Sequence, residues 1–464
     1  MNRPDDRPRD RKFRDKSVDP ARAAARDVLR AVRERDAYAN LVLPKMLRER
    51  RITGRDAALA TELTYGTARA QGVLDAVIEA AAKRPVAEID GRLLDVLRLG
   101  TYQLLRTRIG SHAAVSTSVD LVRAEDGIGP SGFVNAVLRK VSQRAEDLWI
   151  DELAPPMADD LIGNLAFRYA HPRWIAEVFS DALGGSAGQL QAALAADDER
   201  PPVHLVARPG FITAEELALA SGGEPGRYSP YCVYLPGGDP GDVQAIKEGY
   251  AGVQDEGSQL VARAVTVADV GGDEGRWLDM CAGPGGKAAL IGALAEIDGA
   301  HLDAVEVSDH RADLIRGVVR ELPVDVHVAD ARDLTQAGLV PGYDRILLDA
   351  PCTGLGSLRR RAEARWRRTP ADVPGLVALQ GQLLTEALRM VRPGGIVVYS
   401  TCSPHPAETT DLVAGVLAET PAARQIDARA LVGADGLGDG PHVQLWPHVH
   451  GTDAMFLAAI TKDR

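Results

Sequence analysis

Cysteine is scarce in this sequence, with four thiols in 464 residues: Cys232, Cys281, Cys352 and Cys402. No two of them form a CxxC pair, and no His/Cys cluster has the spacing of zinc ligands. Neither a disulfide framework nor a metal site is therefore expected, and a reducing compartment keeps all four as thiols. Long apolar runs are also missing. Nothing approaches the roughly eighteen apolar residues of a membrane span, and the first twenty residues lack the apolar stretch of a secretory signal. These absences point to a soluble, cytoplasmic protein with no membrane partner. An overall basic excess is absent too: the net charge is −11, which argues against a nucleic-acid partner at the level of the whole chain. Internal repeats and low-complexity tracts do not occur.

The length is enough for about two to four domains with substantial cores. Residues 1–17 mix Arg, Lys, Asp and Pro with almost no apolar residues and are expected to be disordered. From Pro20 to Ser142 apolar residues recur at three- and four-residue spacing, as in Ala24, Val28, Leu29 and Val32 or Leu93, Leu94 and Leu97. Breaks at Thr53-Gly54 and Ile128-Gly129-Pro130 divide this stretch into about five to seven helices. Glu152–Asp160, with Pro155-Pro156, reads as a linker. Residues 161–253 mix helical signals with short extended runs, among them Val203–Val206 and Val233–Leu235, and predict a small α+β module. Beyond Gln254, strands are expected at 276–281, 302–307, 324–329, 344–349, 395–400 and 455–460. Helices alternate with most of them, the last near 406–418. This pattern demands a mostly parallel sheet covered on both faces.

Two thiols close such strands. Asp349-Ala350-Pro351-Cys352 follows Arg345–Leu348, and Ser400-Thr401-Cys402 follows Gly395–Tyr399. In an open α/β sheet the carboxyl ends of the strands form the crevice where ligands bind, so the two strands deliver two thiols to one pocket. A third run, Trp277–Cys281, breaks into Ala282-Gly283-Pro284-Gly285-Gly286-Lys287 and then a helix. Its glycines permit close backbone approach, and the helix N-terminus attracts a carboxylate. Glu306 and Asp330 close the next two strands, and an acid at the first of these positions can take both hydroxyls of a ribose. Six arginines against one acid, Glu363, lie between Arg359 and Arg368, starting seven residues after Cys352. Next to the pocket, Arg359, Arg360 and Arg361 are expected to bind RNA phosphates.

CAGPGGK, DAPC and STCS, in this order and spacing, resemble the Sun/Fmu family of RNA cytosine-C5 methyltransferases, in particular its ribosomal-RNA members with an N-terminal NusB-like domain. The phrases RAAARDVLRAV, LDVLRLGTYQLL and GFVNAVLRKV carry the NusB-like part, and the likeness runs from about residue 18 to the end. Where the family has CAAPGGK this chain has Gly283, which removes only a methyl group.

The resemblance implies an all-α NusB-like RNA-binding bundle over 18–150 and an RNA-contacting α+β module over 161–253. Over 254–464 it implies a Rossmann-like α/β methyltransferase domain using S-adenosyl-L-methionine. Cofactor binding falls to Cys281, Ala282, Gly283, Pro284, Gly285, Gly286, Lys287, Glu306, Asp330 and Asp349, with Asp330 meeting the adenine amino group. Lys287 is free to face either the cofactor or the base. The substrate implied is a cytosine of 16S ribosomal RNA in the small subunit; tRNA is the alternative, and a non-catalytic RNA-binding or assembly factor is the alternative of another class.

C5 of cytosine is a poor nucleophile until a thiolate adds at C6 and makes it enamine-like. The resemblance gives that addition to Cys402, release to Cys352, and the N3/N4 edge of the base to Asp349. The reversed order of thiols, as in DNA cytosine methyltransferases with a PC cysteine, is the competing assignment. A helix starting near Pro406 is expected to favour the Cys402 thiolate through its dipole. The target base must be flipped out or unpaired.

Overall fold

The computed structural model describes residues 18–463, so the expected disorder of 1–17 lies outside the described residues. The chain divides into two compact units, one up to Ala154 and one from Pro155.

The first unit contains seven α-helices among its described residues: Pro20–Arg35, Ala39–Glu49, Gly54–Ala82, Gly91–Arg106, Ser111–Asp126, Ile128–Val141 and Glu146–Leu153. Asp19 caps the first by accepting the Arg22 N–H at 2.8 Å, with proline at its first turn. The long helix Gly54–Ala82 buries Leu63, Leu74, Val77 and Ile78, the three- to four-residue stripe of a core-facing helix. At Gly66 it passes so close to the helix Gly91–Arg106 that a Cβ would stand 2.0 Å from the Tyr102 ring, so only glycine permits this approach.

The second unit begins with helices Leu161–Arg168, Arg173–Ala182 and Ala187–Asp198. Their core, with Phe179 and Leu190, is shared with Leu355, Leu358 and Trp446 from much later in the chain. A four-stranded antiparallel sheet follows, ordered β2-β3-β1-β4, from β1 (Val203–Ala207), β2 (Glu224–Pro225), β3 (Cys232–Leu235) and β4 (Ala251–Val253).

The eight-stranded sheet comprises β5 (Arg276–Asp279), β6 (His301–Glu306), β7 (Val324–Val328), β8 (Tyr343–Asp349), β9 (Val391–Thr401), β10 (Ala423–Ile426), β11 (Val443–Gln444) and β12 (Phe456–Lys462). Its order is β10-β12-β9-β8-β5-β6-β7, with β11 beside β12. From β9 to β7 every pairing is parallel, and β12 joins β9 antiparallel. The sheet is mostly parallel and its strands are buried on both faces: Ile346, Leu348, Val397 and Tyr399 enter one core, Leu347 and Val398 the other. That two-sided burial is why these segments read as continuous apolar runs. The edge strands β10 and β11, four and two residues long, are additions to the expected set. The helix expected near 406–418 is instead a 3₁₀ turn, Pro406–Glu408, followed by the α-helix Thr410–Glu419.

Candidate catalytic pocket at the strand ends

The chain runs from β5 outward to β6 and β7, then returns to β8 and β9 on the other side, so the sheet order switches between β5 and β8. Ligands bind at such a switch point in open α/β sheets. Asp279, Glu306 and Asp349 end β5, β6 and β8, and Thr401 ends β9. Asp349 and Ser400 are paired residues in the β8–β9 ladder, so the segments that follow leave the sheet side by side. Cys352 and Cys402 meet there with their sulfurs 3.5 Å apart. The loop carrying Cys352 is held on the other by a backbone bond, Gly356 N–H to the Cys402 carbonyl at 2.8 Å. A Cβ at Gly356 would lie 2.0 Å from the Ala454 carbonyl oxygen, so this closure requires glycine.

The two thiols differ electrostatically. Cys402 is lowered from the ordinary thiol value by its hydrogen bond with Cys352; burial and the Asp349 carboxylate oppose this, and Arg361 and Lys287 assist it. Cys352 is pushed well above the ordinary value by that same bond, by burial and by the negative charge of Glu408. The expected helix-dipole contribution is not the cause. The α-helix begins only at Thr410, and a dipole acts mainly over its first turn. Lys287 donates to Asp349 Oδ2 at 2.7 Å, and Ser400 Oγ donates to Asp349 Oδ1 at 3.0 Å. Against burial, Asp349 holds the Lys287 ammonium above its ordinary value.

The glycine-rich loop turns at Gly285, whose φ of 111° caps the helix Gly286–Asp298. Gly283 matters more than a missing methyl: a Cβ there would lie 2.2 Å from Glu306 Oε2 and 2.8 Å from the Arg311 guanidinium. Arg311 fills this space, donating to the Gly283 carbonyl at 2.6 Å and lying 3.4 Å from Glu306 Oε2. Glu306 is buried and also accepts the Ser308 N–H at 3.0 Å. Asp279 is fully buried, and no side chain hydrogen-bonds to its carboxylate. Burial, reinforced by Asp349, raises it to about 7. Burial first, then Asp279, pushes the Cys281 thiol well up. Asp330 is exposed and gripped by Arg332, which donates from Nε at 3.0 Å and from Nη2; this pairing lowers it.

The arginine run does not form one solvated face. Arg359 is 5 % exposed and bonds to Asp453 at 2.9 Å, Asp255 at 3.2 Å and the Gly451 carbonyl at 2.8 Å. Arg360 bonds to the same two acids at 3.0 and 2.8 Å. Arg365 is fully buried on the carbonyls of Ala170 and Asp197. The expectation that all three of Arg359, Arg360 and Arg361 face RNA is therefore corrected. Two buried acids claim the first two, and of the three only Arg361 is exposed.

Sequence reasoning missed Asp279, Ser400, Arg311 and Glu408. For Asp279 the signal was present, an acid ending a strand in the same way as Glu306. Among the described residues, His301, Asp303 and Asp325 could bring three metal-ligand atoms within 4.8 Å of one another. They lie on β6 and β7 outside the pocket, and His301 is already hydrogen-bonded to Asp325 at 3.1 Å.

Two families match the chain: one described as 16S rRNA methyltransferase RsmB/F over residues 268–461, and the NusB family over residues 19–143. A Mycobacterium tuberculosis protein named as a methyltransferase is 59% identical, covering 98% of this chain and 99% of that protein. Ribosomal RNA small subunit methyltransferase B of Pseudomonas putida is 32% identical, covering 96% and 99%. The crystal structure of PH0851 superposes with a TM-score of 0.79 at 21% identity, covering 95% and 99%, a likeness of fold.

Proposed function

This chain belongs to the RsmB/F family of 16S rRNA methyltransferases and is an RNA methyltransferase, and we propose that it methylates C5 of a cytosine in 16S ribosomal RNA. The observation that carries the reading is the thiol pair, two cysteines just beyond neighbouring strand ends with sulfurs 3.5 Å apart. Amino-group methylation needs no such pair.

S-adenosyl-L-methionine supplies an electrophilic methyl group. The residues present fit it: the buried carboxylate of Asp279, with no side-chain hydrogen-bond partner, suits an ammonium, and Glu306 suits a ribose diol. Asp330 would take the adenine amino group, and the loop Cys281–Lys287 with Asp349 would enclose the rest.

The chain's own residues perform the remaining work. Asp349 accepts from the N4 amino group and fixes the edge of the flipped cytosine. The Cys402 thiolate adds to C6, and the C5=C6 electron pair moves to make C5 nucleophilic. Once C5 bears the methyl group, a solvent water takes the C5 proton, the C–H electron pair re-forms the C5=C6 bond, and the C6–S bond breaks to release the Cys402 thiolate, which the Cys352 S–H stabilises by hydrogen bonding. The unit over 18–150 and the segment 161–253 would carry the RNA, with Arg361 supplying a phosphate contact beside the pocket.

Denaturing gels of full-length protein with RNA and cofactor labelled in its methyl group test this order. Cys352→Ala should accumulate a slowly migrating, labelled, nuclease-sensitive band, and Cys402→Ala should form none. The reverse pattern makes Cys352 the nucleophile. Adducts from neither variant remove the covalent cycle.

A further inference from the structure

The residues immediately after the two cysteines are tied to each other by a buried polar cluster that the proposed chemistry does not use. Thr353 Oγ1 and Ser403 Oγ lie 3.0 Å apart. Beneath them is Glu408, fully buried, which accepts the Thr353 N–H at 2.8 Å and the Thr353 hydroxyl. Gln380 Nε2 donates both to Glu408, at 3.1 Å, and to the Pro351 carbonyl, at 2.8 Å, just before Cys352. Tyr399 OH donates to the Glu408 carbonyl at 2.7 Å. Thr353, Gln380 and Ser403 are each at most 1 % exposed. The Glu408 carboxylate accepts from Thr353 and Gln380, and these buried hydrogen bonds hold the two turns in one geometry although Gln380 Oε1 has no partner.

We propose that Glu408 is a positioning residue that locks the two cysteine turns together and keeps the shared proton on Cys352, so that Cys402 carries the thiolate. The inference rests on the reading of Cys402 as the nucleophile. Its physical basis is asymmetry. The anchor lies on the Cys352 side, bonded to the backbone N–H of the very next residue, and like charge disfavours a thiolate there. The raised Cys352 thiol, to which Glu408 contributes, agrees. Asp349, Lys287 and Arg361 face Cys402, Arg368 donates to the Thr353 carbonyl beside Cys352 at 3.1 Å, and Tyr399 and His405 face Glu408. Of these, Lys287 and Arg361 favour a thiolate on Cys402, whereas Asp349 opposes it. Without the Glu408 charge, Cys352 would ionise more readily and compete with Cys402 for the thiolate.

The test is alkylation of the full-length protein by iodoacetamide across pH 6–9, a window of about three units around the ordinary thiol value, with each cysteine followed by peptide mass spectrometry. The wild type should react faster at Cys402. Glu408→Gln should narrow the Cys402-to-Cys352 rate ratio at neutral pH several-fold and move the Cys352 profile to lower pH. Thr353→Val, which loosens the anchor, should shift the ratio the same way, whereas Thr353→Ser, which keeps the hydroxyl, should restore it. A folded Glu408→Gln with an unchanged ratio and profile overturns the role of Glu408 while leaving Cys402 as nucleophile. If Glu408→Gln does not fold, an unchanged ratio in Thr353→Val overturns it instead. A wild type that alkylates first at Cys352 overturns the functional reading and this inference with it.

Discussion

Arg359→Ala should act on stability far more than on RNA binding, the opposite of what a surface phosphate contact would do. The guanidinium bridges Asp255 and Asp453 and also bonds to the Gly451 carbonyl, and both acids are under a tenth exposed. Removing one partner from a buried ion pair costs about 3–5 kcal/mol, because the remaining charge is left uncompensated. Here Arg360 still bonds to both acids, and the Gly257 and Asp453 N–H groups donate to Asp255 at 2.9 and 3.1 Å. The cost therefore falls at the lower end, about 3 kcal/mol. At about 2 °C per kcal/mol for a large unit, the melting transition of residues 155–464 should drop by about 6 °C in scanning calorimetry of the full chain. Arg361→Ala is the control, since this residue is exposed: stability should change by under about 0.5 kcal/mol. The slope of log K for RNA against log salt, read by fluorescence anisotropy, should fall by up to about 0.9. An Arg359→Ala protein with unchanged melting and a reduced salt slope would refute the buried-network account.

Calorimetric titration with S-adenosyl-L-methionine should show Glu306→Ala weakening affinity about ten- to hundredfold, the loss of hydrogen bonds to a buried charge. Asp330→Ala should cost less, because its carboxylate is exposed and already engaged by Arg332; equal effects would count against this division. Asp279 has a folded-state value raised to about 7, so its contribution to stability is fully present below its unfolded value of about 4 and lost as pH rises through 7. Asp279→Asn should therefore flatten the fall in melting temperature of the cofactor-free protein between about pH 4 and 7, and an identical slope in the two proteins would remove the perturbed carboxyl.

The positions of the thiols were readable because each lies just beyond a strand buried on both faces, where an apolar run stops abruptly at chemistry-bearing residues. Glu306 was readable for the same reason. The arginine run was not. A row of arginines carries no mark of which side chain points inward, and the acids that claim Arg359, Asp453 and Asp255, lie 94 and 104 positions away. Gly283 misled similarly, since the space it opens is occupied by Arg311, 28 residues on. The late helix start was hidden by Pro406, a good first-turn residue. Thr409, at φ −128° and ψ −103°, separates the 3₁₀ turn from the α-helix.

The order of the two thiols shows most clearly what sequence alone lacks. Cys352 and Cys402 are alike in residue type, strand-end position and partial exposure, so a choice between them came only from resemblance. Their surroundings break the equivalence. Lys287, from the helix after β5, and Arg361, from the loop after β8, favour a thiolate on Cys402. Glu408, from the turn after β9, disfavours one on Cys352. Each of these groups arrives from a different segment, and the segments are held together by bonds between them: the ion pair of Lys287 with Asp349, the bond of Gly356 to the Cys402 carbonyl, the anchoring of Thr353 by Glu408. The selectivity of the pair is thus a property of the loops that converge on it rather than of either cysteine.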